Sequence, residues 1–222
     1  MTTIDTLRRF RHIAVEGPIG AGKTTLARLL ASRLEARLVL EQPAENPFLG
    51  RFYDDMAGYA FQTQLFFLFQ RQKQLQALAQ PSVFAEMVVS DFMFAKNAIF
   101  AGLTLGDDEF RIYSQIQAPI AAQLPQPDLV IWLRASPTTL LERVRRRGQA
   151  IEAAIDRPYL ASLTDAYDEF FASYDGAPVF VVDTEDFDPL ARRGDVDALL
   201  QRLAAFHGRR GAYATQVDIA FE

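Results

Sequence analysis

One short segment, residues 17–24, constrains this chain more than any other. It reads Gly-Pro-Ile-Gly-Ala-Gly-Lys-Thr and fits the pattern G-x-x-x-x-G-K-[ST], which is typical of a phosphate-binding loop, or P-loop. The apolar run His12–Glu16 before it predicts a buried strand, and the amphipathic pattern of residues 26–34 after it predicts a helix. In this order the three elements direct backbone N–H groups and the positive end of a helix dipole at one anion.

The segment therefore predicts a site for a nucleoside triphosphate. Lys23 would place a mobile cation against the β- and γ-phosphates, and the Thr24 hydroxyl would be a ligand of Mg²⁺. The nucleotide-binding candidates are Gly17, Pro18, Ile19, Gly20, Ala21, Gly22, Lys23, Thr24 and Thr25. A glycine-rich turn with a chance lysine is the alternative, and it leaves the agreement of strand, spacing and helix unexplained.

Length and composition exclude several classes of protein. A chain of 222 residues fits one α/β domain, residues 1–222, at most with a small lid. The formal net charge of −5 argues against nucleic acid as a partner, because non-specific binding to nucleic acid needs a basic surface. Without cysteine there are no disulfides and no thiolate metal sites. No signal peptide and no membrane span are expected, so the predicted location is the cytoplasm.

Helical patterns separate five apolar segments, which predicts a parallel sheet with helices on both faces. The predicted strands are residues 12–16, 37–41, 87–91, 129–133 and 179–182. Ligands of such sheets bind outside the carboxyl ends of the strands. The residues at those ends are Glu41, Ser90, Asp91, Arg134 and Asp183. The tail, residues 207–222, has no clear periodicity and receives no assignment.

One predicted helix has clear signals at both ends. Ser136 is a good N-cap, Pro137 suits the first helical position, and Gly148 suits the end. Within this helix Arg143 and Arg147 are four residues apart and share a face.

Further motifs bear on the phosphoryl acceptor. Glu41 opens the segment EQPAENPFL, and the sequences FYD at 52–54 and YAFQTQ at 59–64 follow it. Residues 143–148 read RVRRRG, and Glu152 comes shortly after. With this combination, from about residue 12 to about residue 185, the chain resembles the deoxynucleoside kinase family, more its bacterial branch than its animal one.

The resemblance implies a fold and an activity. The fold is that of a P-loop NTPase, with a five-stranded parallel sheet, helices on both faces and an arginine-bearing lid at about residues 143–157. The activity is transfer of the γ-phosphoryl group of ATP, with Mg²⁺, to the 5′-hydroxyl of a deoxynucleoside. The bacterial branch weakly favours purine deoxynucleosides, and the family also implies a homodimer.

Glu41, Lys23, Arg143 and Arg147 are the catalytic candidates. A sugar hydroxyl is a poor nucleophile until a base accepts its proton, and Glu41 resembles the catalytic base of the family. Arg143 and Arg147 resemble lid arginines, which supply positive charge to the moving phosphoryl group. A solvated basic face is the alternative for these arginines, because Arg145 and Arg146 lie between them.

The substrate-binding candidates are Glu41, Tyr53, Gln62, Phe100 and Glu152. The Gln62 amide has both a donor and an acceptor, which suits the edge of a nucleobase, although it also suits a helix surface. By resemblance alone, Tyr53 and Glu152 hold the sugar 3′-hydroxyl. Nearby aromatic residues fit either a base slot or plain core, namely Phe61, Phe66 and Phe69.

The chain also departs from the family. Many members carry an acidic-Arg-Ser triplet after the third strand, where residues 89–93 here read VSDFM, with no arginine in register. Asp91 can serve the acidic part as a Mg²⁺ ligand, and Ser90 occupies that place if the alignment shifts by one residue. Gln149 stands where a further lid arginine is frequent. Two arginines elsewhere are candidates for compensation, Arg71 and Arg134.

Two other functions share this architecture. A thymidylate-type nucleoside monophosphate kinase would need arginines in the acceptor pocket, and the stretch after Glu41 lacks them. A nucleotide-binding subunit without catalysis is supported by the missing triplet arginine and opposed by Lys23, Thr24 and Glu41.

Overall fold

A computed structural model describes residues 2–79, 87–187, 189 and 192–214. Its strands are β1 (His12–Glu16), β2 (Arg37–Val39), β3 (Val88–Ser90), β4 (Leu129–Arg134), β5 (Val179–Asp183) and β6 (Arg210–Tyr213). They form one sheet in the order β2-β3-β1-β4-β5-β6, and every neighbouring pair is parallel. The predicted parallel α/β architecture is confirmed.

Helices connect these strands. They are α1 (Thr3–Leu7), α2 (Lys23–Leu34), α3 (Leu49–Asp54), α4 (Met56–Ala79), α5 (Lys96–Thr104), α6 (Asp107–Ala121), α7 (Pro137–Arg147), α8 (Arg157–Ser173) and α9 (Arg193–Ala205). Two 3₁₀ turns, Pro43–Glu45 and Ala150–Glu152, join longer elements. None of the described helices, including the 24-residue α4, is both long and apolar enough to cross a membrane.

The predicted number of strands was wrong, because the described part of the sheet has six rather than five. The additional strand, β6, pairs with β5 at one edge of the sheet. Its sequence is Arg-Gly-Ala-Tyr, and its residues are half-buried or exposed. A strand of this kind shows no apolar alternation, so the pattern that revealed the other five could not reveal it. The remaining tail residues, 215–222, lie outside the described part of the chain.

Burial explains why the other strands were visible in the sequence. All five residues of β1 and the first five of β4 are buried, as expected for central strands covered on both faces. Strand β2 ends at Val39, earlier than predicted. Glu41 therefore lies in the loop after β2, and its position depends on side-chain contacts rather than on the sheet.

The predicted ends of α7 are confirmed. The Ser136 hydroxyl accepts a hydrogen bond from the N–H of Thr139 at 3.2 Å, Pro137 begins the helix, and Gly148 ends it with φ of 66°. The apolar side of α7 is buried through Leu140 and Val144. Because this face is fixed against the core, the arginines of the same helix are directed away from it.

Strand order determines where a ligand can bind. From β1 the chain passes to β2 and β3 on one side of the sheet and later crosses to β4, β5 and β6 on the other. Parallel sheets have a crevice at such a reversal, outside the carboxyl ends of the strands. The residues after β1 and β3 therefore meet at this crevice, beside the start of α2.

Candidate active site

The glycine loop, residues 17–22, follows β1 and fits tightly under its neighbours. Gly17, Gly20 and Gly22 have φ values of 150°, 87° and 96°. A Cβ atom at Gly17 would lie 2.6 Å from the carbonyl oxygen of Leu133, and one at Gly20 would lie 2.7 Å from that of Leu140. The first two glycines are thus required both by conformation and by space, and the loop is held against β4 and α7.

Lys23 is the first residue of α2, and its side chain folds back over the loop. Its Nζ donates hydrogen bonds to the carbonyl oxygens of Gly17, at 2.8 Å, and Pro18, at 2.9 Å. Burial lowers the pKa of Lys23 to about 8, and the nearby charge of Lys96 lowers it further, while neighbouring carboxylates oppose the shift. The cation predicted for the loop is therefore present at its centre.

Glu16, the last residue of β1, organises the surroundings of the loop. Its buried carboxylate accepts hydrogen bonds from the N–H of Gly17 at 2.9 Å, the N–H of Met93 at 3.0 Å and the hydroxyl of Tyr167 at 2.8 Å. It thereby joins the loop to the turn after β3 and to α8. Sequence reasoning missed this role, although a carboxylate in a buried strand was an available signal.

Asp91 follows β3 and links the loop to the segment after β2. Its carboxylate accepts a hydrogen bond from the hydroxyl of Thr24 at 2.5 Å and another from the N–H of Glu41 at 2.7 Å. Of the two alignments left open by the sequence, the structure therefore brings Asp91, not Ser90, to Thr24. The Ser90 hydroxyl donates to the carbonyl of Phe92 at 2.7 Å instead.

Two cations hold the carboxylate of Glu41. Arg71, on α4, approaches one oxygen with Nε at 2.7 Å and Nη2 at 2.5 Å. Lys96, at the start of α5, donates to the other oxygen from Nζ at 2.9 Å. Burial alone would raise the pKa of Glu41, but the charges of Arg71 and Lys96 outweigh it and hold the pKa well below its usual range.

Of the two arginines considered for compensation, Arg71 and Arg134, the structure brings Arg71 to Glu41. Arg134, the other arginine considered for compensation, pairs with Asp168 at 2.7 Å on the surface, with about half of its side chain exposed. Arg71 faces the carboxylate, and its Nη1 also donates to the amide oxygen of Asn97. The sequence did not indicate Lys96, which is 4% exposed.

On another side of the site, α3 packs against the 3₁₀ turn that ends in Glu152. Arg147 binds both carboxylate oxygens of Glu152, with Nη2 at 2.6 Å and 2.7 Å. Burial raises the pKa of Tyr53, and the charges of Tyr159 and Glu152 raise it further. The elements that carry the predicted sugar-binding residues, Tyr53 and Glu152, are therefore in contact, and Arg147 pairs with Glu152.

The two glutamines at the start of α4 face different surroundings. Gln62 is exposed, and its Nε2 is 3.4 Å from the carbonyl oxygen of Gly58 in the preceding turn. Gln64 is 2% exposed, and its Nε2 donates to the hydroxyl of Thr104 at 3.3 Å. Its Oε1 is buried without a partner among the described residues. Gln64 lies two helical turns before Arg71 and on the same face, so it is a second candidate for contact with a ligand beside Gln62.

Phe100, another predicted pocket residue, lies beside the charged cluster. Its ring centroid is 5.4 Å from Nζ of Lys96, and its ring meets that of Tyr167 edge-on at 6.4 Å. Three aromatic residues of α4 differ in exposure. Phe61 and Phe66 are partly buried, while Phe69 is half-exposed.

A cavity of about 680 Å³ adjoins the glycine loop. Gly20, Gly22 and Thr25 line it together with Arg143 and Arg147 of α7. Arg143 donates to the hydroxyl of Thr184 at 3.0 Å and to the backbone carbonyl of the same residue. The predicted pair of arginines therefore shares one cleft with the glycine loop, which suits a polyphosphate.

The family model of deoxynucleoside kinases matches residues 13–206 of the chain. The chain belongs to the deoxynucleoside kinase family. It is 38% identical to a deoxyguanosine kinase of Bacillus subtilis over 157 residues, which covers 70% of this chain and 76% of that one. It is 37% identical to a deoxyadenosine kinase of Dictyostelium discoideum over 162 residues, covering 72% of this chain and 66% of that one.

Solved structures of the family have the same fold. A deoxyadenosine kinase from M. mycoides with bound dCTP has a TM-score of 0.76 at 27% identity, covering 88% of this chain and 100% of that one. The same kinase with bound dATP also has a TM-score of 0.76, covering 87% of this chain and 98% of that one. The prediction of a deoxynucleoside kinase, made from motifs, is confirmed.

Proposed function

We propose that this family member transfers the γ-phosphoryl group of ATP to the 5′-hydroxyl of a deoxynucleoside and favours purine deoxynucleosides. One observation carries this proposal, the chain of contacts from Thr24 through Asp91 to Glu41. It couples Thr24, directly after the glycine loop, to the backbone of Glu41 on the neighbouring segment, whose carboxylate is largely buried. A phosphate cradle with a proton acceptor on an adjoining segment is what transfer to a hydroxyl requires.

The donor nucleotide is assigned to residues 17–25. The loop N–H groups and the start of α2 bind the phosphates, and Lys23 exchanges its two carbonyl acceptors for phosphate oxygens. Arg143 and Arg147 line the adjoining cleft and stabilise charge on the γ-phosphoryl group. We propose residues 143–157 as the lid that brings these arginines to the phosphates.

Thr24 and Asp91 fit a magnesium site. Their oxygens lie 2.5 Å apart, and hard oxygen ligands are those that Mg²⁺ prefers. Among the residues that the structure describes, no group of three or more His, Cys, Asp or Glu side chains is arranged to hold a metal. This agrees with an ion that takes most ligands from water and phosphate. Thr24 and Asp91 would hold Mg²⁺, whose charge offsets that of the β- and γ-phosphates.

Glu41 is the proposed base. Its depressed pKa keeps the carboxylate ionised, so it can accept a hydrogen bond from the 5′-hydroxyl and orient one oxygen lone pair at the phosphorus. The transition state of phosphoryl transfer is loose, so the proton moves to the carboxylate as the bond to phosphorus forms. A weak base suffices for this timing, because no free alkoxide has to be generated first.

The nucleoside is assigned to the region between Glu41, Tyr53 and Glu152. The packing of α3, which carries Tyr53, against the 3₁₀ turn that ends in Glu152 supports a shared contact of these two residues with the sugar 3′-hydroxyl. For the base, Gln64 is proposed in place of Gln62, because its buried amide oxygen has no partner among the described residues. Phe100, beside Lys96, is proposed to line the same pocket.

The names of the relatives support the purine preference, and the family resemblance implies a dimer. Two of the relatives described above are named for deoxyguanosine and deoxyadenosine. The proposal of a homodimer comes from the family resemblance, and the half-exposed side chains of Phe69 on α4 and Ile112 on α6 supply apolar surface for it.

The test is direct assay of the purified protein with ATP and Mg²⁺ against the four deoxynucleosides and dTMP. Monophosphates and diphosphates are followed separately. Monophosphate from deoxyguanosine or deoxyadenosine above the pyrimidines is the expected result. Product from dTMP alone would replace the proposal with a monophosphate kinase. ATP binding without any product would replace it with a non-catalytic subunit.

A further inference from the structure

The chain has three lysines, and they are distributed unevenly. Lys73 is exposed on α4, whereas Lys96 is buried and Lys23 half-buried at the candidate site. Arginine supplies every other basic side chain apart from two histidines. Burial of an ammonium group costs free energy unless it is paired, so a buried lysine in an arginine-rich chain points to a local requirement.

Lys96 places its ammonium group in the space beside the carboxylate of Glu41. Its Nζ lies 2.9 Å from Oε2 of Glu41. Its charge also lowers the pKa of Lys23, the cation of the glycine loop. The contacts from Thr24 to Asp91 and from Asp91 to the N–H of Glu41 connect the same space to the loop.

Lys96 is not required to neutralise the charge of Glu41. Arg71 already makes a forked ion pair with Oε1, through Nε at 2.7 Å and Nη2 at 2.5 Å. An ammonium group has three donors, and within the described residues that of Lys96 donates only to Glu41. Two donors of a buried cation thus remain beside the proposed base, which must approach the γ-phosphoryl group for the 5′-hydroxyl to attack it.

We propose that Lys96 is a catalytic residue that binds the γ-phosphoryl oxygens while it holds Glu41. This inference rests on the proposed function and assigns one more residue to it. Phe92, a buried side chain, follows Asp91 where the resembled triplet has its arginine. Lys96 restores a cation at this point from the next helix, α5.

Lys96 stays protonated throughout the proposed transfer. The 5′-oxygen forms a bond to the γ-phosphorus, and the bond from that phosphorus to the β,γ-bridging oxygen breaks. The hydroxyl proton goes to Glu41, and the electron pair of the broken bond leaves with ADP. Lys96 donates hydrogen bonds to the oxygens of the phosphoryl group during its transfer, because negative charge is spread over these oxygens in the transition state.

The experiment compares Lys96→Met with wild type and with Lys73→Met, the exposed control. Arg71 still pairs with Glu41 in Lys96→Met, so no buried carboxylate loses all its partners. Lys96→Gln is the second variant, and circular dichroism and thermal unfolding verify that each variant is folded. Calorimetry then gives the affinity for the ATP analogue AMP-PNP and for ADP, both with Mg²⁺, and separate measurements give nucleoside affinity and kcat.

For Lys96→Met we expect kcat to fall about a hundredfold, as when one transition-state donor is removed. The preference for AMP-PNP over ADP should fall about tenfold, which is a typical loss for one charged hydrogen bond. Deoxynucleoside affinity should stay within about threefold, and Lys73→Met should match wild type. An unchanged preference for AMP-PNP would overturn the contact with the γ-phosphoryl group, even if kcat fell.

Wild-type kcat in both Lys96 variants would also overturn the inference, without affecting the proposed function. Failure of the proposed function looks different, because wild type would then form no monophosphate from any deoxynucleoside. In that case the ratio of AMP-PNP to ADP affinity still decides whether Lys96 contacts the terminal phosphate.

Discussion

The carboxylate of Glu16 and the hydroxyl of Tyr167 form a buried hydrogen bond of 2.8 Å between residues 151 positions apart in the chain. The same carboxylate accepts N–H groups from Gly17 and Met93. One buried anion therefore fixes the start of the glycine loop relative to the turn that carries Asp91. A shift of the Glu16 carboxylate would therefore displace both the glycine loop and the turn that carries Asp91.

Replacing Glu16 with Gln should destabilise the protein. A glutamine amide has one acceptor oxygen, so its NH₂ group would face a donor such as the N–H of Met93. An unsatisfied buried polar group costs about 1–3 kcal/mol, and the free energy of unfolding in urea should fall by that amount. Glu35→Gln, at an exposed position, is the control and should change it by less than about 0.5 kcal/mol. Equal stabilities would remove Glu16 from its organising role.

Glu41→Gln should lose most turnover and retain nucleoside binding. The amide keeps the shape of the side chain but cannot accept the hydroxyl proton, and general-base catalysis contributes about 10²–10⁴-fold. Steady-state kcat and a separate nucleoside affinity measure the two effects. Glu45→Gln, an exposed carboxylate on the same loop, is the matched control. Turnover near that of wild type in Glu41→Gln would rule out Glu41 as the base.

The two glutamines of α4 offer a paired test of base recognition. Gln64→Ala should raise the KM of the preferred deoxynucleoside by about 5- to 150-fold, because a lost pair of base contacts corresponds to about 1–3 kcal/mol. Gln62→Ala should change KM by less than about twofold, since its side chain is exposed. The reverse order of effects would restore Gln62, the residue indicated by the sequence.

His12 makes stability depend on pH. Burial lowers the pKa of His12 from 6.5 to about 4, and Asp128 opposes this shift. Between these values the unfolded chain binds a proton that the folded chain does not, so stability is complete above about pH 6.5 and falls as the pH decreases. Each pH unit within the window corresponds to at most about 1.4 kcal/mol.

Urea unfolding at pH 7 and pH 5 tests this expectation. Wild type should lose about 2 kcal/mol more than His12→Asn between the two values, because the variant lacks the titrating group. The comparison cancels the carboxylates that titrate in both proteins. His207→Asn, at an exposed position, should behave as wild type. The same loss of stability in His12→Asn would show that other groups cause the dependence.

The sequence was sufficient to predict features that depend only on residues close together in the chain. The glycine loop and the ends of α7 were predicted because each depends on residues within a few positions of one another. Thr24 and Asp91 were both predicted as Mg²⁺ ligands, but the direct hydrogen bond between them was not predicted, because 67 residues separate them. Arg71 was only one of two candidates until the structure brought it to Glu41.

The missed residues lie on helices whose patterns do not distinguish a buried face. Apolar residues of α4 occur on all sides of the helix, so the sequence pattern did not show which side is buried. Gln62 and Gln64, two positions apart, point in directions that differ by more than half a turn, but the pattern could not tell which of them faces the interior. Lys96 begins a short helix and resembles a surface residue in sequence. Its partner Glu41 lies 55 positions away, and only the fold of the sheet joins them.

Lys23 is bonded to the same loop that it is proposed to serve. Its ammonium group donates hydrogen bonds to the carbonyl oxygens of Gly17 and Pro18. A nucleotide on the loop therefore competes with the loop's own backbone for this cation, and the gain from each phosphate contact of Lys23 is the difference between two hydrogen-bonded arrangements. This competition limits how tightly the donor is held and so favours release of the nucleotide after transfer.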